Sequence, residues 1–224
     1  MDEKNIKIKD RRAREIYPYI KDKLVLDIGC YAEIKEYIKN DQKKFDDNWI
    51  HGFLSRHAKH VIGIDIAKKE INLLKKQGYD VHYQSAENFH FDKKFDVIFA
   101  GDVIEHLNNP GLFLNQCRKH LKRDGWLILT TPNVFCLNYK IGGIMRFFNN
   151  NLSVHPEHTF FFSPTTIDTL LKRYAFKIKK IKFVNFSEAD TLKKRIQDIL
   201  CKIFGEHLKY NMMVFANLSK DENK

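Results

Sequence analysis

Cysteine is scarce and scattered in this chain: Cys30, Cys117, Cys136 and Cys201 lie far apart, with no Cys-x-x-Cys pair. That spacing supports neither a disulfide framework nor a zinc knuckle, and leaves four reduced thiols as the simplest reading. Long apolar runs are missing too. No stretch approaches the roughly 20 apolar residues that span a bilayer. Residues 1–14 are charged throughout and lack the apolar centre of a signal peptide. A soluble, cytoplasmic protein without a membrane span is therefore expected. No internal repeat is visible, and no stripe of aromatics with arginine marks a nucleic-acid module.

What is present suits a single domain over 1–224: the chain has 224 residues, 43% of them hydrophobic, enough to bury a substantial core. Its formal charge is +11 at pH 7, which raises the question of an anionic partner. Much of that excess is local. Residues 163–210 hold eleven Lys and Arg against five Asp and Glu. The lysines are interleaved with apolar residues at strand or helix spacing, as on an ordinary solvated face. A nucleic-acid partner is not expected on this evidence, whereas a small, possibly anionic substrate remains open.

Apolar runs alternate with helical segments along the chain. Strands are expected over 23–28, 61–65, 80–83, 95–100 and 126–131, and helices over 9–20, 49–58 and 68–77. Another helix starts at Asn109-Pro110, with Asn as N-cap and Pro at the first helical position, and with Leu112, Leu114, Cys117 and Leu121 as its apolar face. A turn at 123–125 leads into the fifth strand. Strands separated by helices imply an α/β fold, a mostly parallel sheet with helices on both faces. The rhythm breaks over 133–162, where paired glycines, an Asn run and Phe160-Phe161-Phe162 suit an excursion over one face. A helix capped at Ser163-Pro164, a strand near 176–183, a long helix near 188–204 and a last strand near 210–218 complete the chain.

Two strand ends carry the functional signal. The run Leu24-Val25-Leu26-Asp27-Ile28-Gly29 ends in an acid and a glycine, and Val61-Ile62-Gly63-Ile64-Asp65 ends in a second acid. In open α/β sheets ligands bind outside the carboxyl ends of the strands, so Asp27 and Gly29 sit where a nucleotide-like cofactor would lie. A carboxylate at position 65 can accept hydrogen bonds from a ribose diol. Taken singly, Asp27 equally suits the cap of the following turn and Asp65 the N-cap of the helix after it.

With these residues in order, the chain from about 23 to 176 resembles a class I S-adenosylmethionine-dependent methyltransferase of the small-molecule kind. The carriers are VLDIGC at 25–30, VIGIDI at 61–66, SAENF at 85–89, FDVIFAGDVIEHLNNP at 95–110 and LKRDGWLILTTPN at 121–133. The resemblance implies a Rossmann-like, seven-stranded sheet whose last strand is antiparallel, with S-adenosylmethionine as cofactor and S-adenosylhomocysteine as product. It implies that Gly29 and Cys30 lie beside the methionine part, with Asp27 supporting their loop. Asp65 would hold the ribose and Ile66 would pack on the adenine. Ala86 and Glu87 would contact the adenine ring and its edge, and Gly101 and Asp102 the methionine amino group. One departure stands out: Gly29-Cys30-Tyr31-Ala32 lacks the family's second glycine. Gly29 and Asp65 are also 36 residues apart, against roughly 20 in a compact dinucleotide unit, which an insertion around 40–48 would explain.

Methyl transfer from a sulfonium is an in-line displacement, and a base is needed when the acceptor is a weakly acidic hydroxyl. His106, at the mouth of the fourth strand, and His158, within His155-Pro156-Glu157-His158, are the candidates for that proton. Tyr139, Asn133 and Arg146 are weaker candidates for lining an acceptor pocket. Asp102, Glu105 and His106 fall at i, i+3 and i+4, a spacing that fits either a capping box or, as in some relatives among quinone and RNA-end methyltransferases, a metal site. No metal ligand is assigned. Residues 49–66 and 157–163 look like methyltransferases of surface-glycan gene clusters, so the expected function is methylation of an oxygen on a small polar acceptor bearing sugar or phosphate. The rival classes are an RNA methyltransferase and a non-catalytic cofactor-binding module.

Overall fold

The central strands alternate their burial between two layers of helix. The computed structural model describes residues 11–31, 49–136, 157–185, 199–203 and 205–219. The helix α1 (Arg11–Ile20) leads into strand β1 (Leu24–Ile28), and α2 (Ile50–His57) into β2 (His60–Asp65). Then follow α3 (Lys68–Lys76), β3 (Val81–Tyr83) and β4 (Phe95–Gly101). A single 3-10 turn, Ile104–His106, precedes α4 (Pro110–His120) and β5 (Leu121–Pro132), and the chain closes with α5 (Pro164–Arg173), β6 (Phe176–Val184) and β7 (Asn211–Leu218). The seven strands form one sheet in the order β3-β2-β1-β4-β5-β7-β6. All neighbours are parallel except β7, which runs antiparallel to both β5 and β6. The expected α/β class and antiparallel last strand are both present.

On β1, Val25 faces one layer and Leu26 the other, as the period of two requires. Val25, Val61, Val97, Phe99 and Ile128 pack with Ala13, Ile16 and Ile20 of α1 and Phe53 and Leu54 of α2. Leu26, Ile62, Ile98 and Leu127 pack on the other face with Phe113, Leu114 and Cys117 of α4 and Ile167 and Leu171 of α5. Both faces of the sheet are thus covered, which is why its strands read as continuous apolar runs. No helix among the described residues is long and apolar enough to cross a membrane.

The helix starts follow their local chemistry. Asn109 Oδ1 accepts the Leu112 amide at 3.1 Å, and Ser163 forms a reciprocal capping box with Thr166. Two expectations need correction. Leu112 is not on the apolar face of α4: it is 49% exposed, and Phe113 takes the core position, fully buried. Pro110 starts the helix one residue after the cap, and this phase turns 113, 114 and 117 inward. The fifth strand also begins earlier than expected. Leu121 pairs with Phe95 and Trp126 with Val97, so 123–125 is an outward excursion within β5 rather than a turn before it. Most of the expected covering segment and of the helix near 188–204 lies outside the described residues; 199–203 are helical.

The register of α4 is directly testable. Phe113→Ala is expected to cost about 3–5 kcal/mol of unfolding free energy, and Leu112→Ala less than about 0.5, as read by urea denaturation. Equal costs would place the apolar stripe where the sequence pattern put it.

Candidate functional site

A cavity of about 720 Å³ opens at the carboxyl ends of β1, β2 and β4. Gly29 and Tyr31 after β1, Asp65 and Ile66 after β2, and Ala86 and Glu87 after β3 form part of its wall. Gly101, Asp102 and His106 close it from the β4 side, and Arg12 of α1 reaches it from the N-terminal segment. The side chains arrive there because parallel strands end together, and each end releases a loop to the same side.

Gly29 has φ 75°, and a Cβ there would lie 2.5 Å from Val103 Cγ2, so backbone shape and close approach both require glycine. Its amide and that of Cys30 donate to Ile64 O, which ties the loop after β1 to β2. Asp65 Oδ2 accepts the Tyr31 amide at 3.1 Å and Oδ1 the Ala67 amide at 2.9 Å. Burial raises the Asp65 pKa against the pull of these amides. Ile66, beside it, is 70% exposed on the cavity wall and offers an apolar surface there. Glu87 Oε1 accepts the Asn109 amide at 2.8 Å, and Ala86 lies in the preceding turn.

Asp27 and Cys30 sit behind the wall. Both are buried, at 2% exposure, and Asp27 Oδ2 lies 2.8 Å from His51 Nδ1. Burial raises the Asp27 pKa, and His51 works in the opposite direction. Burial also pushes the Cys30 thiol well above the ordinary range, so it is a packing group.

Asp102 has a left-handed φ of 53° and turns its carboxylate back to Thr130 Oγ1 at 3.0 Å and Arg12 Nη1 at 3.3 Å. This geometry breaks the capping box considered for Asp102 and Glu105. Val103 is the N-cap of the short turn, without a side-chain cap bond, and Asp102 stands outside the turn rather than on a shared face.

Glu105 points inward, 1% exposed. Neither carboxylate oxygen has a hydrogen-bond partner of good geometry, and the same holds for the nearby Thr131 hydroxyl. Burial first, and the Asp102 charge second, raise its pKa to about 8, with Thr131 drawing it back. His106 and His158 flank it: one ligating atom from each of the three residues lies within 4.8 Å of the others. The two imidazoles meet edge to face at 4.7 Å. His106 Nδ1 lies 3.0 Å from Glu157 O, and a carbonyl can accept only, so Nδ1 carries a proton, which in the neutral ring leaves the lone pair on Nε2. The Thr159 and Phe160 amides donate to Glu105 O, and Thr159 Oγ1 to Leu107 O at 2.8 Å, which pins this segment to the 3-10 turn.

The sequence argument placed a possible metal face on Asp102, Glu105 and His106. The structure replaces Asp102 with His158 in that group. Asn133 does not line the cavity: buried, it donates to His207 O and Lys209 O and holds the approach to β7. Tyr139, Arg146 and His155 lie outside the described residues. Sequence reasoning missed Arg12 and His51. Arg12 lies in a charged segment with no motif, and His51 is marked only by its place two residues after Trp49, beside Ile50, Phe53 and Leu54 at the start of α2.

A family model described as a methyltransferase domain matches residues 3–181. A ubiquinone biosynthesis O-methyltransferase of Pelagibacter ubique is 26% identical over 210 residues, 90% of this chain and 81% of that one. Among solved structures, a SAM-dependent methyltransferase from Archaeoglobus fulgidus superposes with TM-score 0.58 at 20% identity, covering 92% of this chain and 91% of its own. The magnesium protoporphyrin IX methyltransferase of Synechocystis PCC 6803, with bound SAH, gives 0.59 at 13% identity, covering 93% and 83%. At these identities the two structures speak for the fold.

Glu105 carries a pH prediction for the metal-free protein. Its folded pKa of about 8 lies above the ordinary 4.5, so the folded state holds a proton that the unfolded chain releases. Stability is then lost as pH rises from about 5 to 8. The melting temperature of Glu105→Gln, relative to wild type, is expected to climb over that range in chelator, by roughly 2–4 °C for each kcal/mol recovered. A difference independent of pH would show that Glu105 is not the buried, unpaired acid described.

Proposed function

The chain belongs to the methyltransferase-domain family, and we propose that it moves a methyl group from S-adenosylmethionine to an oxygen of a small polar acceptor. The preferred acceptor class is a sugar- or phosphate-bearing precursor of a surface glycan. The observation that carries the oxygen assignment is the group of Glu105, His106 and His158 beside the cavity. A hydroxyl needs to lose its proton as it is methylated, and an imidazole of this group can accept it.

The cavity wall fits the cofactor part by part. Asp65 offers a carboxylate to a ribose diol, and the exposed Ile66 offers an apolar face to a base. At the other end Arg12 and Asp102 present opposite charges side by side, the complement of an amino acid zwitterion. The cofactor supplies a methyl on a sulfonium, which passes to oxygen in line while the electron pair of the broken C–S bond stays on sulfur. His106 Nε2 takes the hydroxyl proton, with its ring held by Glu157 O. His158, edge-on to His106 and behind the cavity wall, orients that ring.

The same three residues fit a divalent cation, since Glu105 is buried and neither of its oxygens has a well-formed hydrogen bond among the described residues. Bound there, a cation would lower the pKa of an acceptor hydroxyl. A second acceptor class, an aromatic hydroxyl, is favoured by Phe160 and Phe161, each more than a third exposed in the segment of His158, while the name of the Pelagibacter relative puts that protein in ubiquinone biosynthesis.

Calorimetric titration with S-adenosylhomocysteine tests the cofactor site first: saturable binding is expected in wild type and loss in Asp65→Ala. Sugar nucleotides and catechols then form the acceptor screen, with and without chelator. His106→Ala is expected to lower kcat by roughly 10²–10⁴. Activity lost to chelator and restored by a divalent cation would assign His106 to the metal rather than to the proton. RNA binding that falls steeply with salt would move the acceptor to nucleic acid.

A further inference from the structure

A loop with one glycine where relatives by sequence resemblance have two needs something else to hold its shape, and α2 supplies it. Trp49 Nε1 donates to Cys30 O at 3.0 Å, and His51, two residues on, donates from Nδ1 to the buried carboxylate of Asp27 at 2.8 Å. Both sit immediately behind Gly29-Cys30-Tyr31. Gly63 of β2 leaves the room: a Cβ there would lie 2.7 Å from His51 Cε1 and 2.8 Å from Cys30 Sγ. Imidazole and thiol are therefore stacked against bare backbone, directly under the loop. His51 is 1% exposed, and its Nε2 has no partner among the described residues. Its polar interaction is directed to Asp27 alone, at the strand end where the cavity begins.

A core histidine is a costly way to fill space. Burying an imidazole beside a carboxylate, with one ring nitrogen unpaired, gives up stability that an apolar residue would retain. The arrangement makes sense if the carboxylate must stay fixed at the base of the loop. We propose that His51 is a positioning residue for the cofactor: by holding Asp27 it sets the Gly29-Cys30-Tyr31 loop that a glycine-rich turn would otherwise shape. His51 touches neither the cavity nor the reacting atoms. Its effect is on affinity for S-adenosylmethionine and S-adenosylhomocysteine. The inference rests on the assignment of this cavity to that cofactor.

The two ring nitrogens allow a test with neutral, polar side chains. The amide of His51→Asn reaches the place of Nδ1 and can still donate to Asp27, and vacates the Nε2 position, which has no partner to lose. The amide of His51→Gln reaches the place of Nε2 and leaves Asp27 without its donor. S-adenosylhomocysteine is titrated calorimetrically into each, and the melting temperature of the ligand-free protein is recorded alongside. His51→Asn is expected to bind within about threefold of wild type, and His51→Gln on the order of tenfold or more weaker. A merely structural role would make affinity follow melting temperature. Equal affinities for the two amides, or affinities that track melting temperature, overturn the proposal. Should His51→Gln not fold, Asp27→Asn serves in its place: it removes the charged acceptor at constant volume, weakened binding supports the pair and unchanged binding overturns it. Asp65→Ala is run beside them, so that a cavity which retains the ligand without Asp65 counts against the cofactor assignment itself.

Discussion

The sheet changes direction at β1. From there the chain builds outward to β2 and β3 on one side, then returns to lay down β4 and β5 on the other. The loops that leave β1 and β4 must therefore part, and the gap between them cannot be filled by either. Gly29 and Val103 meet at the floor of that gap, too close for a side chain at 29. The site residues are consequences of this reversal. Asp65 is brought in by the pairing of β2 with β1, Asp102 by the end of β4, and Glu105 and His106 by the short turn that β4 feeds. A different strand order with the same sequence motifs would scatter them.

Two buried carboxylates flank the gap, and the fold treats them differently. Asp27 is given a histidine, so its burial is offset by a charge-assisted hydrogen bond. Burial, with the Asp102 charge nearby and no well-formed hydrogen bond to its carboxylate among the described residues, raises the Glu105 pKa to about 8. An unpartnered acid in a core costs stability, and cores accept that cost mainly where a ligand completes the site. The two imidazoles that converge on Glu105 say where such a ligand would sit. Asp27 has no open space in front of it, and its role ends with the shape of the loop.

Features that depend on local periodicity or on one residue's backbone needs were legible in the sequence. The five parallel strands follow from apolar runs, the start of α4 from Asn109-Pro110, and the acids at 27 and 65 from their places at strand ends. Features that depend on packing between distant segments were not. Leu112 and Phe113 are adjacent and both apolar, so periodicity alone could not decide which faces the sheet. Asp102, Glu105 and His106 have helical spacing, but a left-handed residue at 102 rotates the first out of the group, and a residue 52 positions after His106 takes its place. Arg12 reaches the cavity, and His51 the loop behind it, only because α1 and α2 pack on one face of the sheet.

The excess positive charge has an explanation in the same topology. An open sheet has two edges, and each is a template for another strand unless something blunts it. One edge is β3, three residues long and too short to recruit a partner. The other is β6, nine residues long, and it carries Lys177, Lys179, Lys180 and Lys182. Pairing a second copy along it would bring like charges together without solvent between them. Lys182 is held by Glu15 of α1, and the Lys180 ammonium lies 5.6 Å from the centre of the Phe215 ring on β7. These four lysines of the basic stretch thus lie on the border strand, at the edge of the sheet away from the cavity, whose own lining is mixed in charge.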